Sequence, residues 1–191
     1  VFTLILSVWG FVAKAKSVIT LKIADKKMFF IISSFKVSTK IHIFTSQNYN
    51  MIEIKKFLFE DKELMQIAHN IRYEVFVIGQ NCPEDIEWEF EEESTHFLVY
   101  DNGKAVATAR HRETINGYKL ERFAVLESER GKSYGNIVLK AILADLSDFN
   151  GLIYMHAQIQ VLPFYEKVGF IKEGTLFEEA GIMHYKMVYN P

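Results

Sequence analysis

Residues 120–143, LERFAVLESERGKSYGNIVLKAIL, run from a strand-like segment through the loop Arg130-Gly131-Lys132-Ser133-Tyr134-Gly135 into a helical pattern. The helix is read from Asn136, Val138, Leu139, Ile142 and Leu143, with Leu146 just beyond. Free backbone N–H groups at such a helix start, reinforced by the helix dipole, hold an anionic group. Small residues let that group approach, and large side chains would block it. Strand–loop–helix units with glycines occur in many nucleotide sites, so this one alone indicates anion binding and no particular reaction.

On its N-terminal side, HFLVY (96–100) and KAVATAR (104–110) flank Asn102-Gly103, a pair suited to the positive φ angles of a tight hairpin turn. Asn116-Gly117 leads into YKLERFAVL (118–126), so three consecutive strands form a meander. Earlier, a strand over 52–59 is followed by Asp61, placed to cap an amphipathic helix carrying Leu64, Ile67, Ala68, Ile71, Val75 and Phe76. From 78 to 95 periodicity disappears. Acids accumulate there at Glu84, Asp85, Glu87, Glu89, Glu91, Glu92 and Glu93, interrupted by Trp88 and Phe90, which reads as a long loop or irregular helix. On the C-terminal side, Gly151 restarts the chain into a strand over 152–157. A short helix over 163–168 follows, with Pro163 in its first turn and Gly169 at its end. A last strand covers 182–189, after a loop at 178–181. The order strand, helix, three strands, helix, strand, helix, strand is that of an α/β domain with a mixed sheet and helices packed on it.

The loop resembles the acetyl-CoA motif of the GNAT N-acyltransferase family. That motif is usually Arg/Gln-x-x-Gly-x-Gly/Ala, between the fourth strand and the following helix; Arg130 and Gly135 match its ends. Ser133 stands where the middle Gly is usual, so the loop must accept a Cβ there. Gln158-Ile-Gln-Val-Leu-Pro-Phe164-Tyr165-Glu-Lys-Val-Gly169-Phe170 is similar to the family's Asn-x-x-Ala-x-x-Phe-Tyr-x-x-x-Gly-Phe segment, at the right spacing. Gln158 replaces the Asn that contacts the CoA chain, and Val161 replaces the Ala. Standing alone, Phe164-Tyr165 would fit an amphipathic helix packing on a core. Ile71-Arg-Tyr-Glu-Val-Phe-Val77, Gln80 and Ser94-Thr-His-Phe-Leu98 resemble the ElaA and YjcF-like branch, although Gly79 stands where that branch often has Glu. The resemblance covers essentially all of residues 51–191.

The resemblance implies a central, mostly antiparallel twisted sheet flanked by helices, and transfer of an acetyl group from acetyl-CoA, as co-substrate, to a primary amine. The acceptor would be a small molecule or peptide, attacking directly in a ternary complex without an acyl-enzyme or a metal. Arg130, Gly131, Lys132, Ser133, Tyr134, Gly135 and Gln158 would hold CoA. Backbone N–H groups of Phe123, Ala124 and Val125, at a strand bulge, would face the developing oxyanion. Tyr165 matches the Tyr often placed near the CoA sulfur, where a phenol donates a proton to the leaving thiolate. Glu121 is the candidate base, because alternation gives it the facing of Phe123 and Val125; its structural alternative is pairing with Arg112 or Arg122. The acid-rich loop would draw a cationic amine, or simply be solvated. A non-catalytic acyl-CoA sensor would use the same CoA-holding residues, whereas a pure interaction domain would make Arg130, Gly135 and Tyr165 accidental. A homodimer is left open.

Composition narrows the partners. The chain of 191 residues is 49% hydrophobic, with 16 Phe and 9 Tyr, as befits one well-filled domain. Its net charge of -2 is asymmetric: residues 1–50 hold seven Lys and one acid, whereas the remainder is net acidic. Clustered Lys and Arg are what phosphate backbones require, so nucleic acid is set aside as a ligand. The single cysteine, Cys82, demands no oxidising compartment, and a cytoplasmic location is expected. Cys82 lacks a His partner in sequence as a nucleophile, and the histidines show no metal-ligand spacing. His156, beside Gln158, is the one to test.

Residues 1–50 are expected to lie outside the catalytic domain, which occupies 51–191. The chain starts with Val, and Met51 begins the recognisable domain, so translated upstream sequence is the expected origin of this extension. The apolar run 1–13 is too short for a spanning helix of about 20 residues. Lys14 and Lys16 follow it instead of preceding it, which does not suit a secretory signal. A membrane partner is not expected, the alternative being a basic-hydrophobic interfacial anchor. Residues 17–46 alternate like strands in SVITLKIA and KIHIF, with no partner sheet of their own expected.

Overall fold

A computed structural model describes residues 51–190 in full and, for their backbone course, Ser17–Ile23, Lys26–Ile32 and Ile41–Thr45. The chain divides into two compact units, residues 1–50 and 51–191. In the first, strands β1 (Ser17–Ile23), β2 (Lys26–Ile32) and β3 (Ile41–Thr45) pair antiparallel in the order β1-β2-β3. The segment therefore does have a sheet of its own, contrary to the expectation from sequence. The strand it lacked is β2, where KKMFFII masks alternation. The apolar run 1–13 lies outside the described residues.

In the second unit, β4 (Ile52–Phe57) leads to α1 (Lys62–Arg72), a continuation in π-helical geometry over Tyr73–Ile78, and the single turn α2 (Glu84–Glu87). The meander follows as β5 (Ser94–Asp101), β6 (Lys104–Thr114) and β7 (Gly117–Val125). Next come α3 (Tyr134–Asp145), β8 (Ile153–Gln158), α4 (Leu162–Glu166), β9 (Phe170–Glu179) and β10 (Ile182–Tyr189). The seven strands are ordered β4-β5-β6-β7-β8-β10-β9, antiparallel except where β7 meets β8. β9 was not foreseen as a strand. In FIKEGTLFEE only Phe170 is buried, so an edge strand with little apolar periodicity looks like loop in sequence.

Each sheet face has its own core. Val138, Leu139 and Ile142 of α3 pack on Phe97, Val99, Leu120, Met155 and Phe170, while Met65, Ala68 and Ile71 of α1 pack on Phe57, Leu98, Tyr100 and Ala124. Full burial of each large side chain contributes about 1.5–3 kcal/mol before conformational entropy is subtracted. The α1 stripe recurs at three and four, and Asp61 caps it by accepting the Leu64 N–H at 3.1 Å. Asp61→Ala would remove about 1 kcal/mol.

Both hairpin turns follow backbone sign. Asn102 and Gly103 both take positive φ, 50° and 83°, as a two-residue turn requires. At the second turn Thr114 pairs with Gly117, so the loop is Ile115-Asn116 and Gly117 already begins β7. Gly117 sits at φ 128°, and a Cβ there would lie 2.1 Å from the Leu152 carbonyl oxygen, which receives the Tyr118 N–H. Glycine thus lets β8 approach β7.

The decisive irregularity lies in β7. Thr108 faces Ala124 and Arg110 faces Glu121, so Arg122 and Phe123 together oppose Ala109. Arg122 takes φ 57° to make this bulge. One inserted residue reverses the facing beyond it. Leu120, Phe123 and Val125 belong to the α3-side core, and Glu121 lies on the opposite face. The expectation that Glu121 shares the facing of Phe123 and Val125 is thereby corrected.

Candidate active site

β7 and β8 pair only through Tyr118–Leu120 and Ile153–Met155, then part. The Leu126 N–H donates to Val106 O at 3.1 Å, and Ala124 pairs opposite Thr108. By the alternation of an antiparallel ladder, Ala124 points its N–H at β6, while Phe123 and Val125 direct theirs into the opening between β7 and β8. Of the three expected backbone donors, the ladder therefore frees Phe123 and Val125 and engages Ala124.

The opening leads to the loop before α3. Arg130 is extended, Gly131 has φ 80°, and Ser133, the residue immediately before α3, has φ 68° and ψ 12°. Ser133 thus keeps a left-handed backbone, at about 1 kcal/mol for a residue with a Cβ. Its hydroxyl caps nothing. The first helical bond is Ile137 N–H to Ser133 O, 3.1 Å, so the amides of Tyr134, Gly135 and Asn136 have no helical acceptor. A Cβ on Gly135 would stand 3.6 Å from Phe164 and 3.8 Å from Val125, so the protein's own packing tolerates one.

Side chains of the loop divide in role. Arg130 is exposed, its Nε 3.4 Å from Val125 O. Lys132 and Lys104 both bind Glu129 at 2.7 Å, and their hydrogen bonds hold that carboxyl at about 2. Lys132 is therefore tied to a carboxylate that it shares with Lys104, whereas Arg130 makes no ion pair among the described residues. The Tyr134 ring is buried; its hydroxyl donates to Asp101 at 2.5 Å, a bond that pushes its pKa up to about 12. Tyr134 offers the site its backbone only. Beside the helix start lies a groove of ≈ 490 Å³ lined by Asn136, Lys140, Phe164, Lys167 and Tyr189. The Oδ1 of Asn136 is buried without a partner among the described residues.

Tyr165 lies 6% exposed against Phe123, Phe164 and Phe170, with ring centroids 5.8, 4.8 and 6.0 Å away. Burial pushes its phenol well above the ordinary value, so it stays protonated at neutral pH. Gln158, at the end of β8, donates to Gln80 Oε1 at 3.0 Å and accepts from Gln160 at 2.7 Å. The sequence singled out Gln80 and Gln158 separately, and folding brings them together.

Glu121 fits the role of base poorly. Arg110 (3.1 Å), Arg112 (3.2 Å) and Lys119 (2.8 Å) surround its carboxylate; Arg122 does not. Burial works against ionisation, but Lys119 and Arg110 outweigh it and hold the pKa at about 2. A carboxylate that acidic accepts a proton weakly.

In the acid-rich loop Glu84, Asp85, Glu89, Glu92 and Glu93 are exposed, but two acids are not. Glu87 and Glu91 turn inward: Glu87 binds Arg72 (2.5 Å) and Arg122 (3.0 Å), and Glu91 binds Arg72 and Arg110, both 2.7 Å. No spacing rule reveals this, because Arg72 lies on α1 and Arg110 on β6. Cys82 is not activated: burial, then the Glu87 charge, raises its thiol pKa. Sequence reasoning also passed over Glu179, whose Oε2 lies 2.9 Å from His156 Nδ1.

Comparison with known proteins gives the same picture. The family model described as "Acetyltransferase (GNAT) domain" matches residues 59–191. The chain is 39% identical over 140 residues to the "Uncharacterized N-acetyltransferase YjcF" of Bacillus subtilis, covering 71% of this chain and 99% of that protein. The crystal structure of Escherichia coli ElaA superposes with a TM-score of 0.66 at 25% identity, covering 72% of this chain and 99% of that one. An aminoglycoside 6'-N-acetyltransferase crystallised with coenzyme A shares the fold, with a TM-score of 0.58 at 16% identity over 71% of this chain and 95% of that one. A strand pair that parts beside a helix start with unpaired first-turn amides, in a seven-stranded sheet of this order, accompanies that likeness, and the chain belongs to the GNAT acetyltransferase family.

Proposed function

We propose that residues 51–191 transfer an acetyl group from acetyl-CoA to a primary amine on a small molecule or peptide, by direct attack within a ternary complex in the cytoplasm. The observation that carries this reading is the parting of β7 and β8, with the Phe123 and Val125 N–H groups directed into the opening. The free amides of Tyr134, Gly135 and Asn136, with Arg130 beside them, suit the pyrophosphate. Gly131 and Gly135 leave room for it, and Ser133 holds the turn. The orphaned Asn136 Oδ1 and the groove beside it suit a polar chain lying along α3 and α4.

In this reading the thioester carbonyl lies in the opening, where the Phe123 and Val125 amides stabilise its oxygen as negative charge develops. Gln158 fixes the acyl-donor chain at the end of β8. The Tyr165 hydroxyl gives its proton to the departing thiolate, and burial, which raises its pKa, ensures that the phenol arrives protonated. Glu121 acts as a fixed negative charge that holds Arg110, Arg112 and Lys119 beneath the acceptor face. Residues 1–50 stand outside this chemistry.

The test is thiol release from acetyl-CoA across a panel of alkylamines, aminoglycosides, polyamines and peptide amines. Amine-dependent release of CoA with formation of the N-acetyl product is expected. Tight acetyl-CoA binding with no turnover on any amine would replace this reading with a non-catalytic acyl-CoA sensor.

A further inference from the structure

With Glu121 held at low basicity by three cations, the ammonium form of an amine acceptor needs another proton acceptor. On β8, Met155 and Ala157 enter the α3-side core, so Tyr154, His156 and Gln158 lie on the opposite face, together with Lys119 and Glu121 of β7. Within that face His156 occupies the level at which β7 and β8 have just separated, one residue past the last pair, Leu120 with Met155. The end of the β9–β10 hairpin folds over β10 toward it. Gly174, Thr175 and Leu176 stand against Tyr185 alone, and Gly174 has φ 79°. This bulge bends β9, which is two strands away from β8 in the sheet, so that Phe177 meets the His156 ring at 4.8 Å and Glu179 reaches Nδ1 at 2.9 Å.

Resting on the acetyl-transfer reading, we propose that His156, oriented by Glu179, is the base that deprotonates the amine. The Nδ1–H donates to Glu179, which leaves Nε2 as the unprotonated nitrogen and sets the ring's direction. Among the described residues no contact is recorded for Nε2, and the His156 side chain is 28% exposed. Nε2 takes one proton from the ammonium, and the freed amine attacks the thioester carbon. The C–N bond forms, the C–S bond breaks, and the thiolate leaves as thiol with the Tyr165 proton. Tyr165 recovers a proton from the amide nitrogen through water, and His156 returns its own to solvent. The base and Tyr165 therefore serve the opening from opposite faces of the sheet.

Charged groups around His156 are Lys119 and Glu121 on β7, Glu179 on β9, and His184 and Lys186 on β10. Lys119 lies 4.0 Å from Glu179 and 2.8 Å from Glu121; Lys186 is taken by Glu173 at 2.6 Å; His184 Nδ1 binds the Ile182 carbonyl at 2.8 Å. The test compares two acceptors at pH 7: an alkylamine, which is an ammonium ion, and an alkoxyamine, which is uncharged and needs no base before attack. His156→Gln is expected to lower kcat/KM for the alkylamine by about 10²- to 10⁴-fold. The alkoxyamine should lose less than about tenfold, and the acetyl-CoA Kd should hold. Glu179→Gln, which keeps the ring, should show the same selective loss at smaller size. The one-proton acid limb of the alkylamine profile should vanish in His156→Gln and persist in His184→Gln. Equal losses for both acceptors, or an unchanged alkylamine rate in His156→Gln, would overturn the role of His156 alone. Failure of the unsubstituted protein to acetylate either acceptor would overturn the acetyl-transfer reading and this role with it.

Discussion

Glu91→Gln keeps the shape of a side chain at the centre of a buried charge cluster and removes its charge. Oε1 of Glu91 lies 2.7 Å from both Arg72 and Arg110, and Oε2 lies 3.2 Å from His69. Each arginine is 1% exposed, and Arg72 Nη1 and Arg110 Nε already lack partners among the described residues. Removing one partner of a buried ion pair costs about 3–5 kcal/mol. Here each arginine retains a second carboxylate, Glu87 for Arg72 and Glu121 for Arg110, which puts the loss at the low end, about 3 kcal/mol. For a domain of this size that is a fall in Tm of about 10 °C. Thermal and urea unfolding of both proteins measure it, with Lys132→Ala, which loses only an exposed ion pair, as a surface control expected to leave Tm nearly unchanged.

The pH dependence supplies a second readout. Burial opposes ionisation of Glu91, but hydrogen bonds from His69 and Arg72 and the charges of both arginines lower its pKa from 4.5 to about 2. A depressed folded-state value stabilises the fold above the unfolded value and loses that contribution as pH falls through the folded one. The unsubstituted protein should therefore lose stability faster than Glu91→Gln as pH drops from 4.5 toward 2. A Tm within about 2 °C of the parent, with parallel acid limbs, would refute the buried-cluster account.

Tyr165→Phe should leave stability nearly unchanged, since no hydrogen bond to the hydroxyl is recorded among the described residues, yet lower single-turnover acetyl transfer by about 10²- to 10⁴-fold at unchanged acetyl-CoA affinity. An unchanged single-turnover rate would make Tyr165 a packing residue. Arg130→Glu should weaken CoA binding in calorimetry far more than it lowers Tm, because the side chain is exposed and makes no ion pair among the described residues. Residues 51–191 produced alone should fold and bind acetyl-CoA as the full chain does, as their division from residues 1–50 into a separate unit suggests; insolubility or lost binding would count against it.

The local elements were legible because their causes are local. The Asp61 cap, the three-and-four spacing of α1 and the Asn102-Gly103 turn each depend on a few neighbouring residues and formed as read. The loop from Arg130 to Gly135 likewise announced the helix start at Tyr134. Two elements escaped for want of a periodic signal: β2, whose apolar residues are consecutive in sequence, and β9, an edge strand with almost nothing buried.

The sequence by itself determined the α/β class, the turn before α3 and the position of Tyr165, because motif spacing and short-range backbone preference carry them. Tertiary structure alone decided which residues face the opening. The single residue inserted at Arg122–Phe123 turns Glu121 away from Phe123 and Val125, and no alternation count includes a bulge. It also decided the fate of the charges. Glu87 and Glu91 are spent on Arg72, Arg110 and Arg122, and Glu179 reaches across β10 to His156, since ion pairs form between groups that folding brings together from far apart in the chain.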